Sequence, residues 1–456
     1  MPRTAPPVLS STQCSHNKLQ LLPSSHANEA GYRRPRIQAR KAECLKPKKN
    51  PRNVLGSTSR GKKELGVENG AGITTFPSPL VLPGDDISLD PGYPPQSFES
   101  WIRDEDRNDI TSRKNVVFVA APPNIDNEVS FIGRWDTPRT RCNTSATTPD
   151  IDDVLNYLKA FYHGLPVKLF PKPLSFTSWE SGGTRGSKSK NKPEEPHYVG
   201  FNIGTECVRI RTRASPDEIF PRQLNLDDLL DAVISMLPKD AYALILLVKQ
   251  DLYESADDIF VCGRAYGGSR VAVVSTSRYN PILDGKHNVD REHSWPASHC
   301  QDYVKSCVDA SRPKKRTKFS NSGQNIVSDK DTSSPLPAAL LAHKSLPPLK
   351  LFPTTTQLSG LWLGRVCRTA SHELGHCFGI DHCMYYACSM QGSASLTEDA
   401  RQPPYLCLVD LEKMLHATGT TAKDRYLALL SFCKRHDETH LFAAFGAWIN
   451  SRLDNM

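Results

Sequence analysis

His372, Glu373, His376, Gly379 and His382 form the stretch of this chain with the most specific chemistry, in the run SHELGHCFGIDHC at 371–383. His372 and His376 are four apart, so on a helix their imidazoles stand on one face, within reach of one ion. Zinc takes imidazole nitrogen at about 2.0–2.1 Å. Glu373 follows the first of these histidines and is placed to act as general base toward a metal-activated water. His382 lies six residues past His376. A continuing helix would carry it about 9 Å away, too far to share the ion. Gly379 answers this by taking a left-handed conformation, which ends the helix and turns the chain back. Three protein ligands with an open fourth position is the pattern of a catalytic zinc; four would be structural. The chemistry implied is attack of water on a peptide bond.

Other elements must position these residues. Leu374, Cys377 and Phe378 interleave with the ligands and would pack the helix on a core, with Cys377 as a small buried hydrophobe. The preceding stretch is helix-compatible, with Gly364 expected as a turn or weak point. Residues 116–121 (VVFVAA), 167–170 and 243–248 (ALILLV) read as buried strands, and 201–212 as one alternating strand. Residues 151–163 and 226–237 carry apolar residues at helical spacing. Gly263 to Gly268 suggests a turn or bulge, and Val271 to Ser275 another strand. Strand and helix signals in this order predict an α/β fold. The tail from 421 to 450 reads as paired helices.

After His382 comes CMYYACSMQG, with Cys383 and Cys388 five apart, Met390 eight past His382, and Cys407 further on. On these residues the chain resembles the archaemetzincin family of metzincin-type zinc metalloproteases, in a divergent form. The resemblance implies a zincin catalytic domain with a mixed twisted sheet, an active-site helix and a helical C-terminal part. It implies His372, His376 and His382 as ligands of the catalytic zinc, Glu373 as general base and Met390 as the Met-turn residue. Cys383, Cys388 and Cys407 match three of four cysteines that hold a second, structural zinc in that family. Where the fourth stands this chain has Asp410. Either Asp410 ligates the metal, or water or another residue such as His416 takes its place, or the second site is empty and the cysteines are simply buried. Metzincins hold an extended peptide on an edge strand, and the region from Val261 to Thr276 is the expected wall. For the oxyanion stabiliser, Tyr385 and Tyr386 are both candidates. The family-like portion runs over 76–450, with polar inserts near 180–196 and 309–335.

Residues 1–75 are rich in Ser, Pro, Gly, Lys and Arg and are expected to form a disordered basic arm. Net charge is +8, but much of the excess lies in this arm and in the second insert, whose Pro313-Lys314-Lys315-Arg316 reads first as a solvated run, with a nuclear-import patch or a nucleic-acid contact as alternatives. No zinc-finger, RNA-recognition or helix-turn-helix pattern supports specific nucleic-acid binding. No apolar run reaches the roughly 20 residues that span a membrane. The cysteines number thirteen, an odd count, and the start MPRTAPPVLS lacks the apolar core of an export signal. Reduced thiols in an intracellular compartment, cytoplasmic or nuclear, are therefore expected. His287, His293 and His299 fit no common zinc template, and neither do Cys300 and Cys307. That stretch reads first as a loop with ordinary histidines, with substrate contact or an extra metal as alternatives. The function expected is hydrolysis of peptides or proteins with one catalytic and one structural zinc. The rival is a non-catalytic, zinc-stabilised peptide-binding scaffold. Intact Glu373 argues against the rival, because a structural site has no use for it. The oligomeric state is not legible.

Overall fold

The computed structural model describes residues 14, 16, 18–44, 76–140, 145–179, 196–204, 206–312, 334–349 and 353–456. Residues 1–13 and 45–75 of the expected arm, nearly all of the two polar inserts and the basic run at 313–316 lie outside the described residues. The chain forms two compact units. A sheet unit comprises 105–285 and 354–379; a helical unit comprises 1–104, 286–353 and 380–456.

The sheet unit grows from short apolar runs. β1 (Val116–Ala120) is buried along its whole length. Beside it in chain order come β2 (Asn124–Ile125), β3 (Val167–Leu169) and β4 (Ser175–Thr177). β5 (Tyr198–Asn202), β6 (Cys207–Ala214) and β7 (Arg222–Asn225) follow. β8 (Ala241–Val248) precedes β9 (Asp251–Tyr253), β10 (Gly263–Tyr266) and β11 (Val271–Ser275). One sheet has the order β10-β11-β8-β1-β3, the other β2-β4-β5-β6-β7-β9. In the first, β3, β1, β8 and β11 run parallel, and β10 closes the edge antiparallel to β11. All eight residues of β8 are buried, as a parallel strand covered on both faces requires. The crossover from β1 to β3 contains the helix Ile151–Phe161, capped by Asp150, whose side chain accepts from the Asp152 N–H. The helix Leu226–Ser235 is capped by Asn225, and Arg211 grips its first-turn Asp228 through Nε and Nη2.

Three local expectations are corrected. Residues 201–212 are two strands, not one: β5 and β6 pair antiparallel about Gly204, whose φ is 101°. The side-chain alternation runs on through the turn and hides it. Gly263 to Tyr266 is the edge strand β10; only Gly267–Ser269 turns, as a short 3-10 helix ending on left-handed Arg270. Gly364 does not break its helix, which runs from Thr355 to Cys377 and buries that glycine.

In the helical unit, residues 18–44 do not form an unstructured arm. Ser25–Ala30 and Ile37–Glu43 are helices, the first capped by the Ser24 side chain, and Ala27 and Tyr32 are buried. Composition alone missed this, because one aromatic and a few caps anchor a basic segment. Further on lie the helices Phe98–Arg103, Gln301–Ser311, Leu336–Ser345 and Leu408–Thr418. The tail is the expected helix pair, Ala422–Arg435 and His440–Leu453, and the second also packs on Leu336–Ser345. Trp448 stacks on Tyr405 at 4.3 Å between ring centroids, and Phe76 meets both edge-on. The fold is mixed α/β, as expected. Among the described residues no helix is long and apolar enough to cross a membrane.

Candidate metal centres

The long helix Thr355–Cys377 carries His372, Glu373 and His376 in its last two turns. Thr354 and Gln357 close a capping box at its start. Its flank is tied to the sheet unit by buried polar contacts. Trp362 Nε1 donates to the Thr276 carbonyl at 2.7 Å, and the Arg365 guanidinium takes both oxygens of Asp284 at 2.6 and 3.0 Å. At the ligand end, the Tyr162 hydroxyl donates to the Ser371 carbonyl at 2.6 Å, and the Tyr242 hydroxyl to that of Cys377 at 3.2 Å. Phe378 stacks on Tyr162 and tilts against Tyr242. These contacts fix the turn on which the two imidazoles stand.

His372 and His376 present Nε2 atoms 3.0 Å apart, with their rings near perpendicular. Two nitrogens bound at 2.0–2.1 Å around a tetrahedral zinc lie ~3.3 Å apart, so the pair fits one ion. Burial pushes the Glu373 carboxyl up to about 8, opposed by the positive charge of Arg264 on β10. Gly267 follows β10 and lies against the helix end, where an added Cβ would sit 2.6 Å from the His376 carbonyl oxygen. Gly379 has φ 72°, the left-handed value expected of it, and its N–H donates back to the His376 carbonyl at 2.9 Å.

His382 belongs to the helical unit. Its Nδ1 lies 4.0 Å from Asp86 Oδ2, and Tyr93 tilts over its ring at 5.9 Å. The Asp86 N–H donates to Glu398 Oε2 at 2.9 Å, and so does the N–H of Ala394 at 2.8 Å. Burial pushes the Glu398 carboxyl up to about 9, with neighbouring Asp85 adding to it. Asp86 and Tyr93 were not foreseen; they are far from His382 in sequence, and no local pattern marks them.

Cys383, Cys388, Cys407 and Asp410 come together in the same unit, all buried, with one ligand atom from each within 4.8 Å of the others. Cys383 and Cys407 sulfurs are 3.5 Å apart, and Asp410 Oδ2 is 3.3 Å from Cys388 Sγ and 3.4 Å from Cys407 Sγ. A tetrahedral zinc with sulfur at 2.3 Å and oxygen near 2.0 Å sets ~3.8 Å between sulfurs and ~3.5 Å between sulfur and oxygen. The four residues fit that ion with slight contraction. Burial acts to raise the Cys383 thiol, but hydrogen bonds from Cys388 and Cys407 outweigh it and bring it well below its ordinary value. Burial and the Cys383 charge push Asp410 up to about 7, opposed by Lys413 at 2.9 Å. His416, the other candidate for the fourth place, instead turns its ring to Phe98 and Trp101.

Met390 is fully buried, and its carbonyl accepts from the Cys383 N–H at 2.8 Å. Tyr386 has Arg34 and Arg40 over its ring at 5.0 Å each and Phe76 at its edge, so it packs rather than lining a cleft. Tyr385 is likewise buried, and its carbonyl accepts from Arg34 Nε. Of the region from Val261 to Thr276, β11 is paired on both sides, so β10 alone offers a free sheet edge among the described residues.

Residues 346–415 match the model of Peptidase family M54. Archaemetzincin-2 of Homo sapiens is 26% identical over 356 residues, covering 78% of this chain and 73% of that protein. Archaemetzincin-1 of Homo sapiens is 24% identical over 259 residues, covering 56% and 42%. The crystal structure of archaemetzincin from Methanopyrus kandleri aligns with 68% of this chain and 99% of its own, at 17% identity and a TM-score of 0.31, a distant likeness. The family match spans the His372–His382 run and the cysteine cluster together, and these findings indicate a zinc metallopeptidase similar to the archaemetzincins.

Proposed function

We propose that this chain hydrolyses peptide bonds in peptides or proteins at a zinc ion held by His372, His376 and His382, with Glu373 as general base. The observation that carries the reading is the pair of facing Nε2 atoms, 3.0 Å apart, with Glu373 beside them at the end of one helix. Zinc bound there supplies Lewis acidity toward the scissile carbonyl and lowers the pKa of water. Glu373 takes a proton from the attacking water and hands it to the leaving amine. A carboxyl raised to about 8 when metal-free is poised for this, since a nearby dication draws it back toward the ionised form. β10, at the sheet edge beside the helix, pairs with an extended substrate backbone. Gly379, left-handed at φ 72°, ends the helix ahead of His382. Cys383, Cys388, Cys407 and Asp410 hold a second zinc with no open position, which is structural. These thiols need a reducing compartment, cytoplasmic or nuclear, and fractionation of tagged protein tests that.

The test is a peptide-library assay of wild type and Glu373→Ala, with zinc content measured on the same samples. Cleavage by wild type that Glu373→Ala loses while keeping its zinc supports the reading. Zinc-loaded wild type that cleaves nothing the variant does not would point to the peptide-binding scaffold instead.

A further inference from the structure

We propose that Cys14, His16 and His293 form a further metal site, separate from the two above and flanked by Cys300, that takes a zinc-type divalent cation and clips the N-terminal segment onto the helical unit. Ligand atoms of Cys14, His16 and His293 lie within 4.8 Å of one another. Cys300 Sγ is 3.0 Å from His16 Nδ1. The set is one thiol and two imidazoles, sulfur and nitrogen donors of the kind zinc takes.

The orientation of His293 is the second observation. Its Nδ1 lies 2.7 Å from Asp290 Oδ2. A carboxylate accepts only, so Nδ1 carries a proton, and in the neutral ring that a metal ligand requires Nε2 keeps its lone pair. Nε2 is buried and has no hydrogen-bond partner. A carboxylate behind one ring nitrogen and a bare lone pair on the other is the arrangement that orients metal-bound histidines. Plain packing explains less. His293 stacks on Tyr303 at 4.1 Å and on His16 at 5.0 Å. Stacking accounts for the ring planes. It does not account for a buried ring nitrogen left without a partner near the Cys14 thiol.

Backbone pairing brings the two halves together. Leu19 bridges Cys300, Gln20 N–H donates to the His299 carbonyl at 2.6 Å, and Gln301 N–H donates to that of Lys18 at 2.9 Å. This short ladder sets Cys14 and His16 beside His293 and Cys300. The sequence hides the set, because the Cys14-x-His16 pair and His293 are far apart along the chain. Binding releases the proton of the Cys14 thiol to solvent and makes one sulfur–metal and two nitrogen–metal bonds.

The clip has a mechanical consequence. The segment that follows it reaches the loop between Cys383 and Cys388. The Tyr32 hydroxyl donates to the Met384 carbonyl at 2.7 Å, Arg34 Nε to that of Tyr385 at 3.2 Å, and Arg34 and Arg40 cover the Tyr386 ring. A metal at the clip therefore braces that loop from outside.

The experiment uses the full chain loaded with Zn2+ alone or Co2+ alone. Zinc per chain is counted by elemental analysis in wild type, Cys14→Ser and His16→Gln, and again with Cys388→Ser added to each. Both single variants lie at half-buried positions near the start of the chain, outside the main core. Each is expected to lose one zinc relative to its parent in both backgrounds. Each also loses part of the thiolate-to-cobalt absorption, and trypsin cuts residues 18–44 faster. A zinc count equal to wild type in both single variants overturns the proposal. So does a disulfide between Cys14 and Cys300 in freshly purified protein. The count is independent of peptidase activity, so failure here leaves the reading of His372, His376 and His382 untouched.

Discussion

Gly267→Ala and Gly268→Ala, neighbours in sequence, should change stability in opposite directions. An alanine Cβ at 267 would sit 2.6 Å from the His376 carbonyl oxygen, where real Cβ contacts begin near 3.0 Å. The turn or the helix end must move by at least 0.4 Å. The oxygen cannot yield easily, because it accepts from the Gly379 N–H that closes the helix. Such overpacking costs about 1–3 kcal/mol, offset by ~0.4–1 kcal/mol from the stiffer unfolded chain. For a unit of this size each kcal/mol moves Tm by roughly 2–4 °C, so the variant melts several degrees lower. At 268 a Cβ meets nothing within 4 Å. Only the unfolded-state gain remains there, and Tm rises by roughly 1–4 °C. Because the displaced carbonyl belongs to His376, a proposed ligand, Gly267→Ala should also weaken zinc by about tenfold in a chelator competition, with Gly268→Ala unchanged. Calorimetry and the competition are run on the same preparations. Equal melting temperatures for the two variants would refute the steric argument.

In metal-free protein, Glu373 has its pKa raised from 4.5 to about 8. Its contribution to stability is full below pH 4.5 and is lost as pH rises through about 8. Metal-free Glu373→Gln should therefore out-melt metal-free wild type at pH 9 and match it at pH 4; a pH-independent difference would contradict the burial argument. Asp410→Cys should keep the second zinc, while Asp410→Ala lowers its affinity by tenfold or more, read by chelator titration. Arg278 is buried between Asp217 and Asp251, the latter fully buried. Arg278→Met leaves Asp251 without its cation and should cost about 3–5 kcal/mol in urea unfolding, where a loss under 1 kcal/mol would count against it.

How much could be read beforehand depended on whether the signal was local. His372, Glu373, His376 and Gly379 were legible because one helix turn and one left-handed residue fix their geometry within eight positions. The parallel strands were legible from unbroken apolar runs such as β8. Hairpins were not: β5 and β6 share one alternation, and only Gly204 marks the join. β10 was taken for a turn because its flanking glycines look like punctuation, although Gly263 is there for close approach to the Val273 carbonyl of the neighbouring strand. Residues 18–44 read as an arm because their composition is basic and polar. Their order comes from contacts made far along the chain, such as Tyr32 on Met384. Asp86 and Tyr93 around His382 belong to the same class.

Asp410 was the residue least settled by spacing, and its surroundings explain how a carboxylate can stand where the family pattern has a cysteine. The helix Leu408–Thr418 that brings Asp410 to the thiols also brings Lys413, three residues on and on the same side. The Lys413 ammonium donates to Asp410 Oδ1 at 2.9 Å and is held from behind by the carbonyl and side-chain oxygens of Gln96 at 2.9 and 2.8 Å. Oδ2 is left to face Cys388 and Cys407. One oxygen thus binds the cation and the other joins the cluster, a division that a single thiolate sulfur could not make. A buried lysine needs such a partner, since an unpaired charge is costly to bury. The carboxylate and the lysine therefore account for each other, and on the proposed second zinc site this aspartate would be a compensated ligand.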